Sequence, residues 1–177
     1  MGKVLVCHGL PRKSDRRQGA DKGVFGPKKG LALEYGPMDF RTENGKTVAV
    51  FSNGEDFGEA LAKLLPSLEP TINVVISAVG MFRDAELGVM IGDDYTRRVF
   101  REPMEVLALA GSINPGDDPQ FHIHAVLGGH DFEAVGGHFF RATVHNTLEL
   151  ILLDTGIRAK RVQARGKLRV LRLGQTH

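Results

Sequence analysis

The sequence predicts an α+β fold, a mostly antiparallel β-sheet with one main amphipathic helix packed on it. Three observations carry this. A single stretch, Phe57 to Leu68, repeats apolar residues at helical spacing. From Thr71 onward the chain is a succession of short, β-branched and apolar segments. Those segments are separated by brief Gly, Pro, Asp and Asn clusters, which suit antiparallel neighbours and leave no room for the crossovers that parallel pairing needs. With 177 residues, 42% hydrophobic and 25% charged, the chain can bury a core without crosslinks, and its one cysteine, Cys7, cannot form an internal disulfide.

Taken in order, residues 1–37 read as a basic N-terminal extension ahead of a domain spanning 38–174. Within the extension, 11–30 is rich in Lys, Arg, Gly and Asp with little apolar periodicity and reads as a mobile arm or long loop. Lys46 to Ser52 is β-branched and follows Asn44-Gly45, a hairpin turn signal. Ser52 or Asn53 is then expected to cap a helix whose first turn carries Glu55 and Asp56, acids that suit the positive end of the dipole. Phe57, Leu61, Leu64, Leu65 and Leu68 form its buried stripe, and Pro66 to Pro70 end it. Asn73 to Val79 reads as a strand broken at Gly80 and resuming over Glu86 to Ile91. Further strands are expected at Tyr95–Phe100, Met104–Ile113, Phe121–Leu127, His138–His145, Thr147–Leu153 and Lys167–Leu173.

Several function classes drop out at this level. Nowhere is there an apolar run of the roughly 18 residues a bilayer span needs, and the first residues lack a signal peptide's apolar centre, so a cytoplasmic protein is expected. Neither the Gly-rich dinucleotide fingerprint nor the phosphate-loop lysine pattern follows a strand. Charge is uneven along the chain. Residues 1–37 carry eight Lys/Arg against three Asp/Glu and residues 154–177 seven against one, so a net +2 hides ends of +5 and +6 on a body of −9. Two basic ends can serve a polyanion such as DNA, or pair with the acidic body of a neighbouring subunit.

One constellation carries chemistry. His122 and His124 stand two apart on an expected strand, so both imidazoles leave the same face while Ile123 leaves the other. Gly128, Gly129 and the polar run to Glu133 supply a reversal. If the hairpin closes near Asp131, His138 returns opposite His124, at cross-strand distance. Three imidazoles then converge as in a site for zinc or another divalent transition metal with its fourth position open. Gly136 and Gly137, just before His138, are expected to let a metal-bound ligand or another backbone approach. His8, His130, His145 and His177 read as ordinary surface residues.

The composite of Gly54-Glu55-Asp56, Ile76-Ser77-Ala78-Val79-Gly80, Arg83-Asp84-Ala85-Glu86-Leu87-Gly88, Leu107 to Ile113, Phe121-His122-Ile123-His124 and Val135-Gly136-Gly137-His138 resembles the plant and prokaryote conserved domain, known as PPC, in its stand-alone prokaryotic form. The resemblance implies the α+β fold, a homotrimer, a metal site at His122, His124 and His138, and a distant kinship with acetolactate decarboxylases, which are zinc enzymes. Plant members add Arg-Gly-Arg-Pro hooks that enter the DNA minor groove, a motif this chain lacks; Gly26-Pro27-Lys28-Lys29-Gly30 is basic without the core arginines. Three readings follow: a metal-binding trimer that contacts DNA through its basic ends; a zinc-dependent lyase or decarboxylase on a small carboxylate or carbonyl compound, with Glu149 or Glu105 as acid/base groups and Arg83 as a carboxylate clamp; and a non-catalytic, metal-stabilised assembly module.

Overall fold

A computed structural model describes residues 36–174 except Pro119 and Lys167, so nearly all of the basic extension, with Cys7, His8 and His177, lies outside the described residues. Among the described residues nine strands and one α-helix follow one another as β1 (Asp39–Glu43), β2 (Lys46–Ser52), α1 (Phe57–Leu64), β3 (Asn73–Ile91), β4 (Asp94–Phe100), β5 (Met104–Ile113), β6 (Phe121–Gly128), β7 (Ala134–Asp154), β8 (Ala159–Arg165) and β9 (Leu168–Leu173). Every strand pairing among them is antiparallel. Seven strands make one sheet in the order β1-β2-β7-β6-β5-β3-β4, while β8 and β9 form a separate hairpin. Because β7 also pairs with β3, the run β3-β5-β6-β7 closes on itself, which removes open edges at its centre.

The alternation of each strand sends one set of side chains into a common core. Ile123, Ala125 and Leu127 of β6, Leu148, Leu150 and Leu152 of β7, and Phe82 of β3 are fully or almost fully buried. Helix α1 adds Phe57, Ala60, Leu61 and Leu64 from one face. Phe57 is the point of contact: its ring lies 5.3–5.5 Å, centroid to centroid, from Phe51, Phe82 and Phe139, in the tilted and edge-on arrangements aromatic rings prefer.

The structure corrects several sequence expectations. The helix is capped by Asp56, whose Oδ1 accepts from the Glu59 amide at 3.0 Å, and not by Ser52 or Asn53. Those two are used elsewhere: Ser52 Oγ donates to the Gly36 carbonyl and Asn53 Oδ1 accepts from the Asn146 amide. Leu65 to Ser67 tightens into a 3₁₀ turn, since Pro66 has no amide to continue the helix. Gly80 does not break β3. It marks a register shift at which two residues of β7, Asn146 and Thr147, are bypassed, so the ladder bends and continues. The same bulge joins the two segments expected at His138–His145 and Thr147–Leu153 into one 21-residue strand. Strands β1 and β8 escape a reading by pattern because both are charge-rich and lack a continuous apolar face. Among the described residues no helix is long and apolar enough to cross a membrane.

Candidate metal centre

The β6–β7 reversal closes on Asp131 as its residues suggest: Gly129 and Phe132 amides donate to Glu133 and Gly129 carbonyls, and Asp131 Oδ1 accepts from the Glu133 amide at 3.1 Å. This sets His124 directly opposite His138. The pair belongs to a row that crosses five strands in register, Arg97 on β4, Gly88 on β3, His138 on β7, His124 on β6 and Ala110 on β5. Ala110 flanks His124 with a single methyl, and Gly88, beside His138, leaves room for the Phe140 ring, whose edge would lie 2.7 Å from a Cβ there. His122 stands two residues along β6, opposite Ser112.

Three imidazoles meet on this face. His122 Nε2 and His124 Nε2 are 3.3 Å apart, and one ring nitrogen from each of the three residues falls within 4.8 Å of the others. Zinc–nitrogen bonds of about 2.0–2.1 Å at a tetrahedral angle put neighbouring nitrogens about 3.3 Å apart, so the closest pair already has ligating separation. His138 is held from the side. Tyr95 and Phe140 each pack on its ring with centroids 4.7 Å away, and the Tyr95 hydroxyl is 3.5 Å from Nδ1. Burial pushes the His138 pKa down to about 4, with the neighbouring His122, His124 and Arg97 adding to the effect. His122 is likewise lowered, chiefly by burial and then by Arg161 and His124. At neutral pH both present lone pairs, the form a metal requires.

Glycine shapes the centre. Gly111 on β5 has φ +153°, and a Cβ there would collide with the His122 carbonyl, so only glycine lets β5 approach closely enough to seat His122. A Cβ at Gly137 would lie 2.7 Å from the Gly88 carbonyl, and one at Gly136 3.3 Å from that of Ala125. Neighbouring backbone therefore comes close at both glycines.

The other candidate residues lie apart from the histidines. Glu149 is exposed on β7 opposite Val79, eleven residues from His138, a contour on the order of 35 Å. Glu105 is exposed opposite Gly128, four residues beyond His124 or about 13 Å along the strand. Arg83 pairs with its neighbour Asp84 at 2.7 Å. His130 is exposed in the β6–β7 turn and His145 sits opposite Met81. What the sequence reading missed is a set of arginines: Arg97, Arg161 and Arg169 border the same face as His122 and His138. Alternation of Tyr95 and Arg97 on one face of β4 could have pointed to the first. Nothing local could have pointed to Arg161, a charged residue on a charge-rich strand that is nonetheless 4% exposed.

A model of the Plants and Prokaryotes Conserved (PCC) domain matches residues 38–156. No curated protein sequence matches the chain. Among solved structures, a candidate DNA-binding protein from Bacteroides thetaiotaomicron superposes with a TM-score of 0.66 at 21% identity, covering 77% of this chain and 98% of that one. A plant- and prokaryote-conserved protein from Pyrococcus horikoshii gives 0.63 at 14% identity, covering 80% and 98%. A metal-containing protein from Archaeoglobus fulgidus gives 0.61 at 25% identity, covering 75% and 96%.

Proposed function

The chain belongs to the Plants and Prokaryotes Conserved domain family, and from that premise we propose that it is a homotrimeric metal-binding protein whose centre is His122, His124 and His138, with zinc as the ion. The observation that carries the proposal is the convergence of three imidazole nitrogens within 4.8 Å on one face. Three nitrogen ligands with a free fourth position suit a centre that receives an exogenous ligand better than a closed structural one. A bound zinc would act as a Lewis acid on an oxygen donor; the chain's part is to hold three imidazoles in register. The homotrimer is supported by apolar side chains that α1 does not cover: Ile76, Val79, Ile151 and Leu153 are 38–61% exposed along β3 and β7. The test is elemental analysis of purified protein. About one zinc per chain is expected, and a His122→Ala, His124→Ala double variant should lose it while keeping its fold, because core and helix do not depend on the ion. Unchanged zinc in that variant would overturn the assignment.

A second reading, association with DNA, is favoured by one observation: Arg158, Lys160 and Arg172 are exposed together at the β8–β9 hairpin, a stretch of sequence that carries no acidic residue. Phosphate contacts of this kind give sequence-independent, salt-sensitive binding. The lyase or decarboxylase reading, drawn from acetolactate decarboxylases, needs an acid/base group at the ion, and Glu149 and Glu105 stand too far along their strands to serve from the same subunit.

A further inference from the structure

Beside the histidines lies a cavity of about 210 Å³ bordered by His122, His138, Tyr95, Arg97, Arg161 and Arg169. Among the described residues no carboxylate lines it. We infer that this cavity is a binding site for a small oxyanion, a carboxylate or a phosphate, held by Arg97 and Arg169 with one oxygen turned toward the metal position. The last element rests on the metal-binding reading above; the arginine site does not.

Three guanidinium groups around one small space repel each other, and their internal partners are incomplete. Arg161 is the best compensated. It is 4% exposed, its Nη1 is 3.5 Å from Asp117, its backbone amide donates to the same carboxylate at 3.0 Å, and Nη2 donates to Ser112 Oγ at 2.6 Å. It is a wall and a fixed positive charge. Arg97 reaches Glu86 only at 3.5 Å, while that carboxylate is held at 2.8 Å by Arg141, and its guanidinium lies over the Phe140 ring at 3.7 Å. Arg97 is thus oriented by an aromatic surface, with only Nη1 engaged, at long range, among the described residues. Arg169 donates from Nη2 to the Arg161 carbonyl, but its Nε is buried and has no hydrogen-bond partner among the described residues. A buried guanidinium donor left without an acceptor, next to two like charges, is the complement of an anion. Tyr95 and Phe140 supply apolar walls, so a short organic acid or phosphate ester fits better than a bare halide, and the volume limits the ligand to a few non-hydrogen atoms around its acidic group.

Arg97→Gln and Arg169→Gln are the test variants, since the Arg97 side chain is 46% exposed and neither carries the buried pair that anchors Arg161. Zinc-loaded and zinc-free protein, parent and variants, would be titrated calorimetrically with inorganic phosphate and separately with acetate. One anion per chain is expected for the parent, with at least tenfold weaker binding in each variant at unchanged zinc content; preference between the two probes tells phosphate from carboxylate. If zinc-loaded parent binds neither probe, or the variants bind like the parent, the anion site is wrong while the metal reading stands. If the protein takes up no zinc, the metal reading fails, and the zinc-free titration still decides the arginine site by the same comparison.

Discussion

At the scale of single residues the centre depends on groups that are not themselves ligands. Gly111→Ala would drive a methyl into the His122 carbonyl, so it should lower zinc affinity well below that of the parent while far-ultraviolet circular dichroism stays that of a β-protein; a competition titration with a chromophoric chelator reads this out. Among the described residues Asp117 is the only acid bonded to buried Arg161, and it also accepts from Asn114 Nδ2 at 2.7 Å. Asp117→Ala should therefore cost about 3–5 kcal/mol of stability in a denaturant melt, the range for stranding a buried charge. Glu86 sets an acid limit. Its pKa lies below the usual 4.5 because Arg141 hydrogen-bonds it, an effect that burial opposes and Arg97 reinforces. Its folded pKa being depressed, its contribution is present above pH 4.5 and is lost as pH falls through the folded value, so Glu86→Gln should flatten the loss of stability in that acid range. The triad was legible in the sequence because strand alternation is a strict rule: two histidines two apart must share a face, and a turn near Asp131 leaves His138 only one partner. The arginines were not, because their meeting depends on the placement of a hairpin from a different sheet.

At the scale of elements, α1 is held by one aromatic contact more than by its own length. Eight residues make a marginal helix, and Phe57 inserts into a cluster of four further phenylalanines, Phe51, Phe82, Phe121 and Phe139. Phe57→Ala is expected to destabilise the domain by about 3–5 kcal/mol, measured by chemical unfolding, and the Asp56→Ala cap variant by about 1 kcal/mol. The apolar periodicity of this stretch made the helix readable, whereas its cap was not, since Ser52, Asn53 and Asp56 are all good capping residues and only the chain's path decides among them. Strand ends were similarly hidden. A glycine in an apolar run reads locally as a stop, yet Gly80 sits where two long strands slip past each other by a bulge, a feature that exists only in the pair.

At the scale of the molecule, the basic C-terminal stretch divides into two roles. Arg161 and Arg169 turn inward to the cavity beside His122, and Arg158, Lys160 and Arg172 face solvent at the hairpin. If the solvent-facing set and the +5 extension of residues 1–37 bind DNA, affinity should fall steeply with salt, show little sequence preference, and drop by orders of magnitude at low salt when residues 1–37 are removed. The His122→Ala, His124→Ala variant should bind DNA as the parent does; loss of binding there with the truncation unaffected would move recognition to the metal face. Light scattering should return the mass of three chains, and a monomer at micromolar concentration would contradict the proposed assembly. The most direct measurement on the central claim is anomalous diffraction at the zinc absorption edge from crystals of the protein. The account predicts one peak per chain, about 2.0–2.1 Å from one nitrogen of each of His122, His124 and His138; zinc bound elsewhere, or density at the triad showing only a hydrogen-bonded pair of imidazoles after zinc loading, would contradict it.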